Sequence, residues 1–162
     1  MVARPLSEAE LDCWFAFLNA HTDLTRRLDA ELESTHRISL AEHTALQRLV
    51  MGGGHLRMSD LASTVLLSPS GVSRLVDRLE ADGLIERQAC DADGRAVHAV
   101  ITDRGRALLA EAAPTSAAAL RRLFVDRYTA DEYAVLADLL LRLAPDCRRH
   151  RQEASEATGQ PT

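Results

Sequence analysis

The chain has 162 residues and no lysine; all 19 of its basic residues are arginine. An alanine-rich, arginine-only composition fits the codon usage of a GC-rich genome. It also supplies planar guanidinium forks that bind carboxylates and phosphates bidentately, which an ammonium does not. Aromatic residues are only 4%, so Leu, Val and Ala must build the core, and that favours helices. The three cysteines, Cys13, Cys90 and Cys147, lie far apart with no CxxC pair or Cys/His cluster. This excludes a zinc knuckle. An odd count with no leader peptide reads as a reducing, cytoplasmic setting. No apolar run approaches the ~18 residues of a membrane span. His21, His36, His43, His55, His98 and His150 show no metal-ligand spacing, so neither metal nor cofactor is expected. GxSxG, GxxxxGK and HExxH are absent. Gly52-Gly53-Gly54 lacks the lysine and the preceding strand of a phosphate loop and reads as a connector. The chain is not expected to be an enzyme.

What is present is 46% apolar residues, enough for one folded domain. The net charge of −5 argues against bulk attraction to nucleic acid, but local placement decides that question.

Residues 1–6 read as a flexible arm. Ser7 begins a helix with a capping box to Glu10, and Leu11, Trp14, Phe15, Leu18, Leu24, Leu28 and Leu32 carry its apolar spacing to about Ser34. Ser39 caps a second helix, which the three glycines stop. Ser59 is expected to cap a short third helix reaching Leu66. Ser68-Pro69 starts a fourth, with Val72, Leu75, Val76 and Leu79 on its apolar face and Gly83 closing it. The period then changes. Residues 84–88 and 96–101 read as two strands around a polar tip, a β-hairpin. Thr102 caps a long helix in which Pro114 predicts a kink or break. Thr129 caps a last helix with Tyr133, Leu136, Leu139, Leu140 and Leu143 on one face.

Two short helices followed by a hairpin predict a winged helix-turn-helix in a mainly α chain. The second helix of the pair fits the major groove. Its outward side carries Ser68, Ser70, Gly71, Ser73, Arg74 and Arg78, and Ser59 lies on the helix before it. Small hydroxyls permit close approach, Arg74 suits a guanine edge, and Arg78 suits the phosphate backbone. From Ser68 to Arg78 two arginines and one acid leave one excess positive charge. At the hairpin tip, Arg95 suits the narrow minor groove of A/T-rich DNA, and Asp93 can hold it in place.

These stretches resemble the MarR family of bacterial transcriptional regulators. The resemblance rests on Arg57-Met58-Ser59-Asp60-Leu61-Ala62, the run from Ser68 to Glu80, Gly83-Leu84-Ile85-Glu86-Arg87, the wing Asp91-Ala92-Asp93-Gly94-Arg95-Ala96, and Thr102-Asp103-Arg104-Gly105. It covers about residues 10–145. It implies an intertwined homodimer built from the N- and C-terminal helices, on double-stranded DNA with a near-palindromic operator. On that scheme residues 7–35 form a dimerisation helix, 36–101 the DNA-binding lobe, 102–147 the C-terminal dimerisation helices, and 148–162 a disordered tail. Leu11, Phe15, Leu18, Leu120, Phe124, Leu136, Leu140 and Leu143 would line the dimer interface.

The resemblance also implies a small aromatic or anionic effector. Trp14, Phe17 and His21 would form one wall of its pocket, with His43 and Arg48 opposite; dimer core is the plainer reading of the first three. Peroxide-sensing relatives carry a reactive cysteine near the position of Cys13, which gives a redox-sensing alternative. Beside Trp14 and Phe15, with no cation near it in sequence, that thiol has little to activate it. A winged-helix module for protein partners is the other alternative, and the acidic net charge favours it.

Overall fold

The computed structural model describes residues 4–65, 67, 69–90 and 93–143. The tail 148–162, Cys147 and the first three residues of the arm lie outside them. The elements are α1 (Glu8–His36), α2 (Leu40–Met51), β1 (His55–Arg57), α3 (Met58–Thr64), α4 (Pro69–Ala81), β2 (Ile85–Cys90), β3 (Asp93–Ile101), α5 (Asp103–Leu123), a single 3₁₀ turn (Val125–Arg127) and α6 (Ala130–Leu143).

Local chemistry sets most boundaries. Ser7–Glu10 and Ser39–Glu42 form reciprocal capping boxes at the starts of α1 and α2. Thr129 and Glu132 bond each other in the same way at α6. Thr102 Oγ1 accepts from Gly105 N at the start of α5 and donates to Gly83 O at 2.8 Å, so one hydroxyl joins a helix start to the turn after α4. Gly83 has φ 67°, the left-handed conformation that ends α4 at little steric cost. Arg37 takes the same conformation after α1, with φ 56°. A glycine or asparagine is the usual signal there, so α1 outlasts its expected end by two residues.

Three expectations need correction. Ser59 does not cap α3: that helix starts one residue earlier, its N-cap is Arg57, and no side chain caps it. Ser59 Oγ instead donates to Asp60 Oδ1 at 3.1 Å. Pro114 does not break α5, which runs through it unbroken from Asp103 to Leu123. Pro114 and Ala110, whose carbonyl loses its helical donor, are both exposed, so water can take the freed acceptor. The strands also outrun their predicted ends, because backbone pairing in a solvated ribbon does not require alternating apolar residues.

The sheet order is β1-β3-β2. β3 pairs antiparallel with both neighbours, Ile85 opposite Ile101 and Leu56 opposite Ala99. β1, three residues long, gives no periodic signal and is absent from the sequence reading. The core lies between α2, α4 and the sheet, under the C-terminal half of α1 and the start of α5. It contains Leu32, Ile38, Leu46, Leu49, Leu61, Val76, Leu79 and Ile85. All four apolar residues expected on α4 are buried. In contrast, every residue of α1 from Glu8 to Ala20 is exposed. On α6, Tyr133, Val135, Leu139 and Leu143 stand in solvent, as do Trp14 and Phe15 on α1.

Gly105 marks the tightest joint. A Cβ there would fall on the Leu84 carbonyl oxygen, closer than real Cβ contacts come. Gly105→Ala is expected to destabilise the fold by about 1–3 kcal/mol, read as a lower urea midpoint. An unchanged midpoint would show that this joint can relax.

Candidate nucleic-acid interface

α4 is amphipathic in the strict sense. Val72, Leu75, Val76 and Leu79 face the core, while Ser70, Ser73, Arg74, Asp77 and Arg78 are exposed and Gly71 is half-buried. The structure therefore brings Ser70, Gly71, Ser73, Arg74 and Arg78 to one helix. Ser59 stands exposed on α3 beside it, and both Ser59 and Ser73 line a cleft bounded by Met58, Ala62 and Arg87. Ser68 lies outside the described residues, as do the side chains of Asp93 and Arg95; their backbones are the first part of β3.

The arginines differ in their commitments. Arg74 Nε donates to Ser70 O one turn back, at 3.3 Å. Arg78 Nη1 lies 3.2 Å from Glu42 Oε1, a buried carboxylate of α2. Arg87, on β2, donates to Asp77 Oδ1 and to Glu80 Oε2, both at 2.6 Å. Asp77 foremost, and Glu80 with it, hold the Arg87 guanidinium's pKa above its ordinary value. Among the described residues, Arg74 is the arginine of α4 with no carboxylate partner. Arg87 was missed by sequence reasoning. Its only signal was the spacing from Asp77 across a hairpin that the helix packs against.

A groove of about 680 Å³ runs between α1, α2 and the α3–α4 connection. His21, Thr22, Thr25, Arg26 and Asp29 of α1 form one side, Leu40, Ala41 and Thr44 of α2 the other, and Val65 and Leu67 close it. Arg26 is paired with Asp23 at 2.6 Å. A smaller apolar groove of about 190 Å³ lies on the α5 side of His21, against Leu24, Leu28, Leu120 and Phe124.

The comparisons with known proteins agree with this geometry. A family model described as the MarR family matches residues 38–96. That span holds α2, the helix pair and the first part of the wing. Two solved structures from Streptomyces coelicolor are each 29% identical to the chain. AbsC, a MarR family transcriptional regulator, superposes with TM-score 0.80, covering 90% of this chain and 99% of its own. Sco3205, of the same family and solved in complex with DNA, gives TM-score 0.82 over 88% and 90%.

Over residues 38–96 the chain is similar to the MarR family.

Among curated relatives, the HTH-type regulator YkoM of Bacillus subtilis (strain 168) is 30% identical over 80 residues, 49% of this chain. The match spans about half of that relative's length, 52%.

The predicted pocket residues do not assemble as expected. Of the five, His21 lines the groove. Trp14 and Phe17 stack on each other at 6.1 Å, further toward the N-terminus of α1. Arg48 is half-buried and lies away from the described wall. His43 points into the protein, where it is buried and its Nε2 has no hydrogen-bond partner. On α2, Leu40, Ala41 and Thr44 face the groove, and one step round the helix His43 does not. The polar residues missed on α1, Thr22, Thr25 and Asp29, follow His21 at helical spacing; that was their only signal. Cys13 is an exposed thiol. Among the described residues no three His, Cys, Asp or Glu gather as metal ligands, and no helix is long and apolar enough to cross a membrane.

Burial first, and the nearby His36 second, push the pKa of His43 below the ordinary 6.5. A lowered folded-state pKa favours the neutral form. Below about pH 6.5 the unfolded chain takes up a proton that the folded chain refuses, so stability falls with acidification. His43→Leu is expected to flatten the loss of melting temperature between about pH 6.5 and 5, above the range where carboxylates titrate. Parallel pH profiles for the two proteins would contradict this.

Proposed function

We propose that this chain is a MarR-family, sequence-specific transcriptional regulator that binds double-stranded DNA as a homodimer in the cytoplasm. The observation that carries the reading is the seating of α4. Its apolar face is spent in the core, which leaves Ser70, Gly71, Ser73 and Arg74 turned outward on a helix thin enough for the major groove. The 29% identical Sco3205 was solved in complex with DNA, which supports this use of the fold. Arg74, unpaired with any carboxylate among the described residues, reads base edges. Ser59 and Ser68 approach the phosphates. Arg95, steadied by Asp93, enters the minor groove at the wing.

The exposed apolar halves of α1 and α6 support the dimer, since one chain alone leaves Trp14, Phe15, Leu139 and Leu143 in water. A near-palindromic operator follows from two-fold symmetry, with half-sites about one helical turn apart.

A second reading concerns control. The 680 Å³ groove falls within the usual range for small-molecule sites. Its walls are largely apolar with hydroxyls, His21 and Arg26 at the edge, which suits a small aromatic or anionic effector. By occupying it, such an effector shifts the population away from the DNA-binding spacing, making the protein a ligand-responsive repressor.

Fluorescence anisotropy on DNA from upstream of the chain's own coding sequence tests the first reading. Arg74→Ala and Arg95→Ala are each expected to weaken binding by about 5- to 150-fold. Sedimentation should show an unchanged dimer. Undiminished binding by both variants would remove α4 and the wing from the interface.

A further inference from the structure

The first turn of α2 is held from two sides. On the groove side, Asp29 Oδ1 of α1 accepts from Leu40 N at 2.7 Å, and Leu40, Ala41 and Asp29 itself line the groove. On the other side, Glu42 faces a separate cleft with Asp82 and Leu84. The residue is 5% exposed and both carboxylate oxygens are engaged. Oε2 accepts from Ser39 N at 2.8 Å and Ser39 Oγ at 2.7 Å, closing the cap of α2. Oε1 meets Arg78 Nη1 of α4 at 3.2 Å. One buried carboxylate therefore fixes the start of α2 and a turn of the recognition helix together. Arg78 is 60% exposed and Glu42 buried, so it is the buried carboxylate that loses most when the pair opens, and this couples the two elements.

We infer that Glu42 and Arg78 are positioning residues for DNA recognition, and that the first turn of α2 carries a displacement of the groove wall to α4 through this pair. The inference rests on the DNA-binding reading above. It assigns Arg78 a role other than the phosphate contact its position suggests: it seats the helix that Arg74 reads from. A body pressed between α1 and α2 bears on Leu40 and Ala41, and Glu42, next in the chain, cannot follow without drawing Arg78.

Two measurements on the full-length protein test this. In the first, operator affinity is measured against salt for wild type, Glu42→Gln, Arg78→Gln and the double variant. Glutamine at position 42 still caps α2 but lacks the charge. Each single variant is expected to bind about 3- to 30-fold more weakly, the double variant no worse than either single, with the slope of log K against log[salt] unchanged. A phosphate-contacting Arg78 would instead lower the slope by about one per subunit, with Glu42→Gln binding as well as wild type or better; that result overturns the inference.

In the second, Thr44→Trp serves as the probe that fills the groove. Spin labels at Ser73→Cys on α4 and Ala118→Cys on α5, with Cys13, Cys90 and Cys147 replaced by serine, report the distance between them without DNA. Thr44→Trp is expected to shift that distance, and Glu42→Gln to abolish the shift, with melting temperatures confirming folded protein. No shift, or a shift that survives Glu42→Gln, overturns the link. Failure of the wild type to bind operator would refute the DNA reading, while the distance measurement still decides whether groove and helix are coupled.

Discussion

The burial of Val72, Leu75, Val76 and Leu79 fixes the orientation of α4, and everything the interface can do follows from that orientation. Full burial of an aliphatic side chain contributes roughly 1.5–3 kcal/mol as an upper estimate, whereas an exposed ion pair contributes roughly 0.2–1 kcal/mol. Four buried side chains outweigh any ion pair on the helix surface. The pairs at Arg78 and Arg87 therefore do not hold α4 in the fold. They adjust its rotation and angle within a seat that the core has already set, where small free energies have large geometric effects.

On the DNA-binding reading, the same distinction accounts for how an acidic chain can meet a polyanion. Asp77 and Glu80 on α4 would repel phosphate if left unpaired, and Arg87 of β2 bridges both, one positive charge set against two negative ones. Arg78 is matched by Glu42. Among the described residues, Arg74 is then the α4 arginine that no carboxylate pairs, on a chain whose net charge is −5. On the DNA-binding reading, non-specific attraction is weak by construction, because it scales with the number of phosphates neutralised. Discrimination then falls on a few placed contacts and on the simultaneous fit of two copies. Arg87 also joins the root of the wing to α4, so the two elements that the DNA-binding reading sends into adjacent grooves share one electrostatic joint.

Local features were legible in the sequence because their causes are local. The capping boxes at Ser7, Ser39 and Thr129, the apolar face of α4 and the turn at Gly83 each depend on residues within four positions of one another. The hairpin was legible from its change of period. β1 was not, since three residues carry no period and its pairing is decided by β3, far along the chain. Ser59 was misread because a serine before an apolar run looks like a cap, although the chain had already turned helical at Met58. Pro114 was misread because its cost depends on whether water reaches the freed carbonyl. The partners of Arg78 and Arg87, and the true α2 wall of the groove, depend on how helices pack, which no spacing rule contains. His43 was misplaced for a local reason: residues two apart on a helix lie on nearly opposite sides, so when Ala41 and Thr44 face the groove His43 turns to the core.

α1 belongs to two environments at once, and this shapes how the molecule can respond. Its C-terminal half is fastened to the lobe: Leu32 is fully buried, Asp29 bonds Leu40 N, and His36 Nε2 lies 2.8 Å from Thr115 Oγ1 of α5. Among the described residues nothing covers its N-terminal half. If a second copy supplies that cover, one continuous helix runs from the dimer contact to the edge of the groove, with no hinge of its own among its 29 residues. A stiff rod cannot absorb a displacement at Asp29; it must pass the displacement to whatever is less firmly held. The first turn of α2, fixed by a few hydrogen bonds around one carboxylate, is that weaker member, and the recognition helix is attached to it.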